Sequence, residues 1–127
     1  FSDDIRAICV ADESLHSPAD AIALISNPKP FGVFNIKLMK CGGIHEALKI
    51  AKIAENEGIA LMWGCMDESK ISIAAALHAA FSSSATKYID LDGFFDLGWD
   101  LVSGGYICNN GMMETNGKQG LGVFCNE

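Results

Sequence analysis

The sequence predicts an α/β protein with a parallel sheet, and three observations lead there. Short apolar, β-prone runs alternate with helix-forming stretches through the first hundred or so residues, at a repeat of roughly 25–30 residues, the length of one β-α unit. The chain has 127 residues, half of them hydrophobic and 20% charged, which suits one globular domain that needs no disulfide staples. Charged residues gather at the C-terminal ends of the four apolar runs, the edge where parallel α/β folds bind ligands.

The elements follow in order. Residues 5–11 form the first β-prone run and end in Asp12-Glu13-Ser14. Ser17-Pro18 starts a helix, with Ser as N-cap and Pro in the first turn. Ala21, Leu24 and Ile25 are its apolar face, and Asn27-Pro28-Lys29-Pro30 stops it. Residues 32–38 are the second run, interrupted by Asn35 and Lys37, and Cys41-Gly42-Gly43 is a turn. Residues 44–57 carry Ala47, Ile50, Ala51 and Ala54 at helical spacing, and Gly58 is a natural C-terminal cap. Residues 59–63 are the third run. A helix with Ile71, Ala74, Ala75, His78 and Phe81 on one face follows, ended by Ser82-Ser83-Ser84. The fourth run opens at Tyr88-Ile89 and closes with Asp90-Leu91-Asp92-Gly93. The rest, about 101–127, reads as a helix remnant and then a hairpin, with Asn110-Gly111 as its turn.

Composition excludes several classes. Nine Lys and Arg stand against sixteen Asp and Glu, for a net charge of −7, and Arg6 is the one arginine. That is no footprint for nucleic acid or for an anionic membrane surface. No apolar run has the length of a membrane span. Cys9, Cys41, Cys65, Cys108 and Cys125 are odd in number and lack Cys-x-x-Cys spacing. They read as reduced, mostly buried thiols of a cytoplasmic protein. The chain opens on Phe1-Ser2-Asp3-Asp4 without a Met, which suggests a piece of something longer. There is no Gly-x-Ser-x-Gly elbow, no phosphate-cradling glycine loop and no histidine cluster.

The strand-end charges carry the chemistry. Lys37 interrupts a run that would otherwise be a buried strand, and buried lysines are rare unless paired or used. Lys40 reads as a loop charge. Asp90 and Asp92 alternate, so on a strand they face one side, where two carboxylates repel unless a cation lies between them. Asp12 and Glu13 are either helix-start acids or a metal-binding pair, Glu68 either caps the third helix or faces the site, and Met66 reads as packing. His16, His45 and His78 read as structural or surface residues. Together the residues support a cation-assisted acid–base site, with an Asp as the kind of oxygen ligand Mg²⁺ prefers and a strand-end Lys as base.

Four motifs in order then carry a resemblance: Ala11-Asp12-Glu13-Ser14, Asn35-Ile36-Lys37-Leu38-Met39-Lys40 with Gly42-Gly43, Gly64-Cys65-Met66-Asp67-Glu68, and Asp90-Leu91-Asp92, with the tail Gly120-Leu121-Gly122-Val123. The chain resembles the C-terminal half of the (β/α)8, TIM-like barrel of the enolase superfamily, muconate-lactonizing subgroup. It is most similar there to dipeptide epimerases of the Ala-Glu type. The resemblance implies a half barrel of about four β-α units over residues 1–100, and a segment over 101–127 that returns toward a capping domain. It implies Asp12 as a ligand of an essential Mg²⁺, with Glu13 in the same shell, and Lys37 as one of two acid/base lysines. These would perform 1,1-proton transfer at the α-carbon of a dipeptide through an enediolate. Asp90 and Asp92 would bind the dipeptide ammonium, and Met66 and Glu68 would line the pocket. The other lysine and the first two metal ligands would lie upstream, so the chain alone is expected to be inactive, and to self-associate or pair with the other half barrel. Three alternatives stand beside this reading. A muconate-type cycloisomerase is disfavoured by the Asp90/Asp92 pair, which would repel its substrates. A non-catalytic α/β domain would carry these charges as caps, and a flavodoxin-like open sheet is the alternative fold.

Overall fold

The computed structural model describes residues 1–126. Four parallel strands form the sheet: β1 (Val10–Ala11), β2 (Val33–Ile36), β3 (Ala60–Trp63) and β4 (Thr86–Ile89). They lie in sequence order, β1-β2-β3-β4. An open doubly wound sheet reverses its strand order at a switch point, whereas successive neighbours are the arc of a (β/α) barrel. The flavodoxin-like alternative is thereby set aside.

Helices α2 (Pro18–Leu24), α4 (Ile44–Glu57) and α5 (Lys70–Phe81) connect the strands, with a short α3 (Leu38–Cys41) after β2. Ser17 caps α2 by accepting the Asp20 amide at 3.2 Å. Gly58 ends α4 in the left-handed conformation, φ 66°, which a side chain disfavours. Ala47, Ile50, Ala51 and Ala54 are all buried, so the periodic face of α4 is its core face. Helix α5 buries seven residues and has no polar stripe. It needs none, because the sheet covers one side and the C-terminal strands cover another.

The register separates the two sheet faces. Val33 lies opposite Ala60, Asn35 opposite Met62, and Met62 opposite Tyr88. The alternate residues Ala11, Phe34, Ile36, Leu61 and Trp63 are each at most 1% exposed and pack in the core with the helices. The opposite face carries Val10, Val33, Asn35, Met62 and Tyr88, and Val10 and Tyr88 remain 41% and 56% exposed.

Four expectations are corrected. Residues 5–11 are not one strand: Asp3–Ile8 is a helix, α1, and only Val10–Ala11 is β. Asp3 and Asp4 in its first turn and the Arg6–Asp3 ion pair favour the helix over the β-propensity of the isoleucines. Strand β4 ends at Ile89, so Asp90 and Asp92 are not on a strand, and a 3-10 helix (Gly93–Asp96) follows. The region about 101 holds no helix remnant but β5 (Val102–Gly104), paired antiparallel with β8 (Val123–Cys125). The hairpin forms as expected, β6 (Tyr106–Asn109) with β7 (Met112–Thr115), turning at Asn110 and Gly111 with φ of 50° and 77°. The cysteines are free, but only Cys41 is buried, while Cys108 and Cys125 are exposed.

Candidate active site

The loops leaving the C-terminal ends of the strands hold the charged residues, because each strand must hand its chain to a helix at that edge. Asp12 follows β1 directly, and Lys37 is the N-cap residue of α3, just past β2. Lys37 Nζ lies 3.1 Å from Asp12 Oδ2. Lys40, one turn further on α3, hydrogen-bonds Asp12 Oδ1 and donates to the Asp12 backbone carbonyl at 2.7 Å. Its side chain is only 5% exposed. Each carboxylate oxygen of Asp12 thus has its own ammonium. Burial raises the Asp12 pKa, but the hydrogen bonds from Lys40 and Lys37 outweigh it and hold the carboxyl below its ordinary 3.8.

Lys40 is thus not the loop charge the sequence predicts but a residue of α3 bonded to Asp12. Its three-residue spacing from Lys37 was the available signal, since one helical turn brings both to the same edge. Glu13 is turned outward. Its Oε1 lies 3.7 Å from Lys40 Nζ, its Oε2 lies 3.8 Å from His16, and its side chain is 76% exposed. Among the described residues no three His, Cys, Asp or Glu side chains converge as a metal cage. Asp12 offers a hard oxygen donor, of the kind a divalent cation such as Mg²⁺ takes.

Asn35 lies two residues before Lys37 in β2 and is 4% exposed. Its Oδ1 has no hydrogen-bond partner among the described residues. Gly64, at the end of β3, faces it. A Cβ there would fall 2.7 Å from Asn35 Oδ1 and 3.2 Å from Lys37 Cε. This glycine leaves room for both side chains.

On the next two loops the expectations divide. Met66 is 40% exposed. Glu68 is 4% exposed and turns into its own loop, accepting the Met66 amide at 2.8 Å and the Ser72 hydroxyl. Glu68, the expected pocket-lining residue, thus has its carboxylate engaged in ordering the turn into α5. Asp90 and Asp92 are exposed on either side of Leu91, which is 2% exposed. The Asp90 amide donates to the Trp63 carbonyl at 2.8 Å, and Asp92 is the N-cap residue of the 3-10 helix. The anchored Leu91, rather than strand alternation, puts both carboxylates on the open side. They border a cavity of about 530 Å³ walled by Ile89, Phe94, Phe95 and Met112, which Asp12 and Lys37 do not line.

Residues 4–127 match the enolase C-terminal domain-like family. The chain belongs to that family. An L-Lys-D/L-Arg epimerase of Desulforapulum autotrophicum is 60% identical over 119 residues, 94% of this chain and 34% of the relative. An L-Ala-D/L-Glu epimerase of Clostridium acetobutylicum is 42% identical over 96% of this chain and 34% of the relative. The crystal structure of a dipeptide epimerase from Methylococcus capsulatus, complexed with Mg and the dipeptide L-Arg-D-Lys, superposes with a TM-score of 0.95 at 57% identity. That match covers 97% of this chain and 35% of the other. The enolase-superfamily resemblance and the α/β barrel fold class are shown by these matches. The chain spans about a third of the length of the relatives it matches. Among the described residues no helix is long and apolar enough to cross a membrane.

Proposed function

We propose that this chain is the part of a Mg²⁺-dependent dipeptide epimerase that supplies one metal ligand, one proton-transfer lysine and the ammonium-binding carboxylates. The observation that carries the reading is the Lys37–Asp12 contact at 3.1 Å on the C-terminal edge of the sheet, within a family whose relatives include dipeptide epimerases. Asp12 holds the ion, kept in place by Lys40. When bound, the ion supplies positive charge to the substrate carboxylate and so stabilises the negative charge left when the α-proton departs. Lys37 takes or returns that proton at Nζ on one face of the α-carbon. A second lysine on the opposite face, supplied by the rest of the complete enzyme, completes the inversion. Asp90 and Asp92 attract the α-ammonium, and Phe94 and Phe95 border the same cavity.

The substrate class we infer is dipeptides with cationic side chains. Support comes from the L-Lys-D/L-Arg epimerase at 60% identity. It also comes from the exposed carboxylates Asp67, Asp90, Asp92 and Asp96 on the loops after β3 and β4. The test is α-proton exchange in D₂O by the complete enzyme containing this chain, over a dipeptide library, with and without Mg²⁺. Exchange into Lys- and Arg-containing dipeptides that stops on chelation is expected. Exchange that persists without the ion, or no exchange at all, overturns the reading.

A further inference from the structure

We propose that Asn35 is a positioning residue for Lys37, its buried side-chain carbonyl accepting a hydrogen bond from Lys37 Nζ when Asp12 is engaged by a metal ion. The inference rests on the proposed role of Lys37 in proton transfer. In the structure Lys37 is tied to Asp12 Oδ2 at 3.1 Å, while Lys40 holds Oδ1 and the Asp12 backbone carbonyl. An ammonium and a metal ion cannot share one carboxylate oxygen without strong repulsion. With Oδ1 already held, Lys37 must find another acceptor.

Asn35 Oδ1 meets that need. It is buried and has no partner among the described residues, an arrangement native proteins avoid unless the group has a use. Asn35 lies in β2, and Lys37, the next residue after the strand, keeps an extended backbone (φ −122°, ψ 123°), so the two, two residues apart, point to the same side. Both crowd the same point above Gly64, Oδ1 at 2.7 Å and Lys37 Cε at 3.2 Å from where a Cβ would stand. The space is therefore kept for these two side chains and nothing else. A neutral amide oxygen fixes the direction of Nζ without adding a charge beside the substrate carboxylate.

The experiment uses the complete enzyme and follows α-proton exchange in D₂O from each dipeptide epimer separately. Lys37→Ala identifies the epimer whose proton Lys37 handles. Asn35→Leu is then expected to slow exchange from that epimer by about tenfold or more, the scale of a misplaced general base. Exchange from the other epimer should stay within about twofold, and Mg²⁺ affinity by calorimetry should be unchanged. Asn35→Ser, which keeps a neutral oxygen acceptor at the position, recovers part of the loss, and Asn35→Asp, which adds a charge there, does not. Gly64→Ala, which presses on both side chains, gives the same one-sided loss and decides the matter if Asn35→Leu does not fold. Equal losses from both epimers, or no loss in either variant, overturn the inference while leaving the epimerase reading intact. A wild-type enzyme that exchanges no dipeptide proton overturns both.

Discussion

Lys40 shows how much a single side chain can hold at this edge. It reaches the Asp12 carboxylate and backbone carbonyl together, with its ammonium nearly withdrawn from water. Lys40→Met should leave Asp12 with Lys37 alone and destabilise the fold by about 1–3 kcal/mol, since the orphaned acceptor is only partly solvated. Urea denaturation of the complete enzyme checks this, and Lys40→Arg should recover part of the loss. Asp100 is the corresponding residue at α5. It accepts from the Ser69 hydroxyl and the Lys70 amide, both at 2.7 Å, and from the Val102 amide at 3.3 Å. Burial raises its pKa, but these bonds lower it further, to a net value below 3.8. A carboxyl depressed in the folded state contributes stability that is present above its unfolded pKa and is lost as pH falls through the folded value. Asp100→Asn should therefore melt at a lower temperature than wild type at neutral pH, with the gap closing below about pH 4. A gap that persists unchanged to strong acid would refute this.

Elements at the site are set by close approaches that composition does not reveal. The 3-10 helix Gly93–Asp96 lies on the loop after β3, where a Cβ on Gly93 would fall 1.9 Å from the Met66 carbonyl oxygen and 3.2 Å from Cys65 Sγ. Gly93→Ala should push residues 90–96 away from residues 65–68. The expected cost is about 1–3 kcal/mol of overpacking, and KM for the dipeptide should rise more than kcat falls, because Asp90 and Asp92 move while Lys37 stays. Steady-state kinetics on the complete enzyme separate the two. The helices were legible because α2 and α4 announce themselves by caps and period: Ser17-Pro18 at one start, Gly58 at one end, and the alanine and isoleucine spacing of α4. Residues 5–11 read as a strand because Ile5 and Ile8 have high β-propensity, and the Arg6–Asp3 pair that favours the helix is a weaker sequence signal.

The chain as a whole is an arc of sheet whose outer strands, β1 and β4, each have one edge unpaired among the described residues. Val10, Tyr88, Phe95 and Trp99 are exposed apolar residues, between 41% and 71% accessible, and such edges and faces invite pairing. The 127-residue chain by itself should therefore self-associate or bind a complementary half barrel, and should exchange no dipeptide α-proton alone. Light scattering on that chain checks the first expectation. A compact monomer that unfolds cooperatively, or one that turns over substrate, would contradict the partial-site argument.

The alternation of strand and helix from β1 to β4, the parallel sheet and the placing of Asp12 and Lys37 at its C-terminal edge were determined by the sequence alone, because period, caps and strand-end charge are local properties, whereas helix α1, strand β5 and the part played by Lys40 were not. Lys37 stood out as a lysine interrupting an apolar run, and Asp12 as the acid ending another. Only the tertiary structure decided what those charges meet. It put Lys40 on Asp12 across 28 residues of chain, turned Glu68 inward and Glu13 outward, left Asn35 Oδ1 without a partner, and placed Gly64 and Gly93 where no side chain fits. Those outcomes depend on which side chains from distant segments compete for one volume and one hydrogen bond. Such competition is settled only when the strands pack side by side.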